Sequence, residues 1–232
     1  MFFFDPLWFL IMIPPLIFMF YAQAKVNSAF NKYSKIANAQ RITGAEAAER
    51  LLKSNGLGNV AVEQIKSRLG DHYDPRKKVL RLSPDVANTP SVAALGIVAH
   101  EVGHAAQDKT GYAFMRFRTS LVPAATWGSR LGQIFFFLGI ILLIGGIAFG
   151  QTVIWGGVFL FSLAVIFSLV TLPVEYNASN RAREMLRSTG LVVADEYNGA
   201  SAVLSAAALT YVAATLQAIA TLFYLVLVAN RR

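Results

Sequence analysis

Residues 131–174 read LGQIFFFLGIILLIGGIAFGQTVIWGGVFLFSLAVIFSLVTLPV, 44 consecutive positions without Asp, Glu, Lys or Arg. A helix crosses the hydrocarbon core of a bilayer with roughly 20 apolar residues. This run is therefore long enough for two spans and a tight turn, which we place at Gly150–Gln151. Two other charge-free runs, residues 6–24 and 197–230, are 19 and 34 residues long. The reading is a mainly α membrane protein with four spans, about 6–24, 132–149, 152–172 and 210–229. The Ala-rich stretch 201–210 also suits a helix packed on protein.

The composition agrees. Of 232 residues, 55% are hydrophobic and 15% charged, and the mean hydropathy is +0.49. Soluble domains carry about a quarter charged residues, which argues against an ordinary cytosolic protein, and the ample apolar material excludes disorder. There is no cysteine. Disulfides, iron–sulfur clusters and thiolate zinc sites are thus excluded. A metal would have to be held by His, Asp or Glu, and the only histidines are His72, His100 and His104.

The first apolar run ends in Ala22-Gln23-Ala24, the small-x-small pattern of a signal-peptide cleavage site. It lacks a basic segment ahead of it and carries Asp5 instead, and Lys25, Lys32 and Lys35 follow it. These flanks favour an uncleaved anchor. Pro14-Pro15 should interrupt its hydrogen-bond ladder, because a proline nitrogen has no proton to donate.

With four spans, residues 25–130 and 173–200 share one side of the membrane. They hold 16 and 3 of the 21 Lys and Arg residues, and only Arg231 and Arg232 lie elsewhere. Arg116, Arg118 and Arg130 precede the second span, and Arg181, Arg183 and Arg187 follow the third. By the positive-inside rule both segments are expected on the cytoplasmic side. The net charge of +8 is then mostly a topology signal. No nucleic-acid-binding signature accompanies it, and no nucleic-acid partner is expected.

Within residues 25–131, Thr43-Gly44-Ala45-Glu46 is a capping box opening a helix to about Ser54. Residues 60–65 and 78–83 alternate apolar with polar and read as strands, with a turn over 70–75. Thr89-Pro90 opens the next helix, with Thr89 as N-cap. That helix contains His100-Glu101-Val102-Gly103-His104, the pattern H-E-x-x-H. Histidines at i and i+4 share one helix face and can grip one ion, and Glu101 is placed to act on a water beside it. Zinc suits such nitrogen and oxygen donors. The preceding run, residues 91–99, is small and apolar, so this helix is expected to be buried. Burying two imidazoles and a carboxylate without a partner is costly.

A third ligand is required. His72, Asp108, Glu175, Glu184, Asp195 and Glu196 are the candidates. Glu175 is favoured by position: it is the first charge after the third span, where an unused carboxylate is expensive. His72 is either an exposed turn residue or a group that stabilises an oxyanion or holds substrate. Arg181 and Arg183 either anchor lipid headgroups or stabilise developing charge. Gly139, Gly145 and Gly146 are candidates for close packing between spans.

The combination of HEVGHAAQ, the downstream VEYNASNRA segment and several spans resembles the YugP-type neutral zinc metallopeptidases of bacterial membranes. It is more distantly similar to the HtpX and Ste24 membrane proteases. The resemblance covers nearly the whole chain, including DHYDP at residues 71–75 and the Ala-rich segment after Gly199. It implies a zinc metalloendopeptidase with a small α+β zincin-like catalytic unit and one Zn2+ per chain. The ligands it implies are His100, His104 and Glu175, with Glu101 as general base. In the wider group a Glu-aromatic-x-Ala-Asp motif supplies the third ligand. Glu175-Tyr176-Asn177-Ala178 matches it, while Ser179 replaces the Asp. Ser179 or Asn180 is thus a candidate for orienting a histidine. The resemblance also implies that the strand at 78–83 is an edge that pairs with an extended peptide, the alternative being an ordinary core strand.

The expected organisation is an anchor at 1–24, a catalytic region at 25–131, a transmembrane hairpin at 132–172, a second catalytic segment at 173–209 and a final span at 210–232. The expected partners are a protein or peptide substrate, the lipid bilayer, and either a membrane partner protein or a second copy of the chain. Two alternatives stand beside this reading. One is an intramembrane metalloprotease, against which Asp85 and Asp108 bracket the motif and no Leu-Asp-Gly motif is present. The other is a non-enzymatic, zinc-stabilised membrane assembly or interaction protein.

Overall fold

A computed structural model of the chain describes residues 5–67 and 70–231; Arg232, one of the terminal arginine pair, lies outside them. Seven helices and three strands occur among the described residues in the order α1 (Pro6–Tyr33), α2 (Gly44–Ser54), β1 (Ala61–Gln64), β2 (His72–Asp74), β3 (Val79–Leu82), α3 (Pro84–Ala87), α4 (Val92–Lys109), α5 (Ala113–Ile144), α6 (Gly150–Ser188) and α7 (Ala194–Asn230). Among the described residues, α1, α5, α6 and α7 are long and apolar enough to cross a membrane. The chain divides into two compact units, one of residues 1–21, 116–173 and 211–232, the other of residues 22–115 and 174–210.

The first unit holds the apolar parts of the four long helices. Its core includes Phe136, Ile154, Val158, Phe161, Val165, Leu225 and Val228. The α5–α6 hairpin packs through glycine: a Cβ on Gly157 would lie 2.7 Å from the Gly132 carbonyl oxygen, and one on Gly139 would lie 2.7 Å from that of Gly150. Small residues of this kind let two backbones meet in a setting where dispersion, not water exclusion, holds helices together. Gly139 therefore has the expected packing role. Gly145 and Gly146 do not: they lie in the turn that ends α5, and Gly146 has open space around it and a φ of +78°. The chain reverses over residues 145–149, a few positions before the expected Gly150–Gln151, because the left-handed glycine stops the helix first. Helix α1 continues through Pro14 and Pro15 to Tyr33. At its start, Asp5 Oδ2 accepts hydrogen bonds from Arg231 Nη1 (2.6 Å) and Tyr224 (3.3 Å).

The second unit is α+β. Thr43 and Glu46 form the reciprocal capping box of α2, whose Ala47, Ala48, Leu51 and Leu52 are buried. The sheet order is β1-β3-β2, with β1 parallel and β2 antiparallel to β3. The expected strand at 78–83 is therefore the central strand and not an edge, since β1 and β2 occupy both its sides. The missing neighbour is β2, which falls inside the expected turn at 70–75. Its Tyr73 is buried against the core while His72 is exposed, and three residues are too few to show periodicity in the sequence. The turn lies instead between Asp74 and Val79, where Lys78 adopts a φ of +54°.

Helix α4 starts two residues later than expected. Its N-cap is Ser91, whose Oγ accepts from Ala94 N at 3.1 Å. The competing bonds are long-range: Asn38 N donates to the Pro90 carbonyl at 3.0 Å and Val92 N to that of Ile36 at 2.9 Å. Residues 90–91 are thus held against 36–38, and the helix begins only at Val92.

Candidate metal centre

Helix α4 is buried along nearly all its length, as its small apolar residues require. The rings of His100 and His104 stack edge-to-face with centroids 4.8 Å apart, as the i, i+4 spacing dictates. Helix α6 brings Glu175 to them. Glu175 Oε2 lies 3.2 Å from His100 Nε2 and 3.4 Å from His104 Nε2. A tetrahedral zinc with donors at about 2.1 Å separates those donors by roughly 3.4 Å, so the spacing fits this ion. Among the described residues this is the one trio of potential metal donors, all within 4.8 Å of one another.

The far nitrogen of each imidazole is also engaged. Gln107 is fully buried and its Nε2 donates to the Val174 carbonyl at 2.7 Å and to Asn177 Oδ1 at 3.0 Å. Its amide orientation is thereby fixed, so Oε1, 2.9 Å from His104 Nδ1, is an acceptor. His104 must then carry its proton on Nδ1 and present a bare Nε2 when neutral. On the other histidine, Ser179 Oγ lies 3.2 Å from His100 Nδ1. Both imidazoles thus turn Nε2 towards Glu175 and Nδ1 towards a neutral oxygen, the arrangement that orients a ligating histidine.

Glu175 is only 2% exposed. Burial works against its charge, but the hydrogen bonds and charges of His100 and His104 outweigh burial and hold the carboxyl well below the usual range. Burial pushes Glu101 upward, partly offset by the two histidines, and the carboxylates of Glu175 and Asp71 push it further. Burial alone would lower His104. The Glu175 hydrogen bond, the charges of Glu101 and Glu175, and the Gln107 contact reverse that and raise it. Three neighbouring groups thus have displaced ionisation, a pattern concentrated at functional sites.

The structure brings together five of the residues singled out in the sequence: His100, Glu101, His104, Glu175 and Ser179. Three others have partners elsewhere. Asn180 Oδ1 accepts from Arg183 Nη1 at 2.9 Å. Arg181 Nε donates to Asn177 Oδ1 at 2.9 Å, so it braces the amide that holds Gln107. His72 is exposed, with Nδ1 2.7 Å from the Gly70 carbonyl oxygen. Among the other candidate ligands, Glu196 accepts from the backbone of Ala39 and Val193. Asp108 accepts from the Tyr73 hydroxyl at 2.7 Å.

Three participants went unread in the sequence. Gln107 and Asn177 stand inside the quoted motif segments, and Gln107 is three residues beyond His104, where a side chain faces its neighbour one turn back. That spacing could have identified it. The third is Tyr73, whose backbone N–H donates to Glu101 Oε2 at 3.0 Å. A backbone donor leaves no signature in residue type.

The long apolar helices define a membrane protein, and His100, His104 and Glu175 form a group that could hold a metal ion. Residues 8–230 match the family described as "Putative neutral zinc metallopeptidase", and the chain belongs to that family. It is 43% identical over 210 residues, 90% of each chain, to the "Putative membrane protease YugP" of Bacillus subtilis (strain 168). No solved structure matches it.

Proposed function

We propose that this protein is a membrane-bound zinc endopeptidase, with one zinc per chain held by His100, His104 and Glu175. The observation that carries the reading is the convergence of these three donors, each histidine turning Nε2 inward with its Nδ1 already engaged. When bound, zinc supplies Lewis-acid polarisation and brings the pKa of a water towards neutrality. Glu101 takes a proton from the attacking water and delivers it to the departing amine. Burial displaces its ionisation upward, the direction that makes a carboxylate a stronger base. Gln107 and Ser179 keep the imidazoles oriented through the reaction.

The segments 25–131 and 173–209 carry the chemistry in this reading and face the cytoplasm, with 1–24, 132–172 and 210–232 in the cell membrane. The flanking arginines and lysines support that sidedness. The substrate is a protein or peptide. The experiment is cleavage of a quenched peptide library by purified protein in detergent, with zinc measured in parallel. Glu101→Gln should retain zinc and lose proteolysis. Full cleavage by that variant, in a preparation free of other proteases, would remove Glu101 as the base.

A further inference from the structure

We propose that Tyr73 is the positioning residue for Glu101, and that Asp108 and Lys78 hold it in place; this rests on the assignment of Glu101 as the base. Glu101 and Asp108 are seven residues apart on α4, two turns along one face. Tyr73 engages both. Its backbone N–H donates to Glu101 Oε2 at 3.0 Å and its hydroxyl donates to Asp108 Oδ2 at 2.7 Å. Lys78, in the left-handed conformation that closes the turn after β2, pairs with Asp108 Oδ2 as well.

The geometry explains why a three-residue strand is present at all. β2 is an edge strand, and an outward-facing amide there would ordinarily bond to water or to another chain. At Tyr73 it is committed to a buried carboxylate. Opposite Tyr73 in the ladder is Leu80 of the central strand, so the amide is fixed from behind by the sheet and from the side by the phenol. A side-chain donor would bring rotamer freedom; a backbone donor clamped at both ends does not. The amide occupies Oε2 and leaves Oε1 as the oxygen that carries the proton. The buried ring also contributes: its phenol is pushed up by burial and by Asp108, so it stays protonated and donates throughout the neutral range.

The test has one arm that needs no catalysis. Residue-resolved hydrogen exchange is measured at the amide of position 73 in metal-free and zinc-loaded protein. It should be slow in the parent and in Glu101→Gln, which keeps an acceptor, and accelerate at least about tenfold in Glu101→Ala, as loss of a protecting bond requires. Equal exchange in parent and Glu101→Ala would overturn the proposal. The second arm is kinetic. Tyr73→Phe and Asp108→Ala should lower kcat about tenfold or more with KM and zinc content unchanged, as small displacements of a catalytic group do. Asp108→Asn, which still accepts from the phenol, should recover most of that loss. An unchanged kcat in Tyr73→Phe, or no difference between Asn and Ala at position 108, would overturn it. Failure of the parent to cleave any peptide would count against the peptidase reading, while the exchange arm still decides the contact.

Discussion

The Cα of Gly103 faces the backbone of Ala178: a Cβ placed on this glycine would stand 2.6 Å from the Ala178 carbonyl oxygen. The second variable position of H-E-x-x-H is thus the point at which α4 and α6 touch backbone to backbone. Ala178 lies between Glu175 and Ser179, which reach the two imidazoles. The absence of one methyl group brings the acid of one helix to the bases of the other.

Replacing Gly103 with Ala should therefore push the helices apart. Overpacking of this kind costs about 1–3 kcal/mol, and the parted donors should bind zinc more weakly. Thermal unfolding in detergent and the zinc-to-protein ratio measure both effects. Gly58→Ala is the control, since nothing lies within 4 Å of a Cβ there, and it should change neither.

Glu175→Ala should remove one donor and leave two facing imidazoles. The expected result is loss of most bound zinc from protein that still folds, read by metal analysis after gel filtration. A zinc-to-protein ratio equal to the parent's would take Glu175 out of the site.

Gln107→Ala should weaken zinc binding without touching a ligand. It frees His104 to change tautomer and leaves Asn177 Oδ1 with Arg181 alone among the donors described. Loss of such an outer partner costs about 10- to 100-fold in metal affinity. Competition with a chromophoric chelator gives the number.

Acid should release zinc early. His104 is raised in the metal-free protein, so a proton holds its imidazole at pH values where an ordinary histidine, with a pKa of about 6.5, is already neutral. Zinc needs the neutral ring and must displace that proton. Affinity should be full above the raised value and fall as pH drops through it, beginning above about pH 6.5. Glu175, held low, stays ionised across this window and does not contribute. Affinity that stays flat down to the ordinary histidine range would contradict the shift.

Sidedness is open to direct labelling because the chain has no cysteine. Glu49→Cys, on the exposed face of α2, should react with an impermeant thiol reagent only after the cells are opened. Phe149→Cys, exposed in the turn between α5 and α6, should react in intact cells.

Some of this was legible residue by residue. The charge-free runs located the long helices because hydropathy is a property of composition and needs no partner. Likewise the capping box of α2 involves only residues three apart. The start of α4 was misplaced because Pro90 and Val92 are bonded to Asn38 and Ile36, which moves the cap to Ser91 and which no local pattern records. β2 was missed because its three residues become a strand only by pairing with β3.

By itself the sequence determined that the protein belongs in a membrane, that any metal must be held by imidazoles and carboxylates, and that His100 and His104 share a helix face. Each of these follows from composition or from the 3.6-residue turn of the helix. The tertiary structure alone decided that Glu175 and Ser179 close on the histidines, that Gln107 sets the proton of His104, and that the amide of Tyr73 meets Glu101. The contacts that fix them, including those of Gln107 to Val174 and Asn177, join residues 28 to 79 positions apart, and their geometry depends on how closely two backbones can approach.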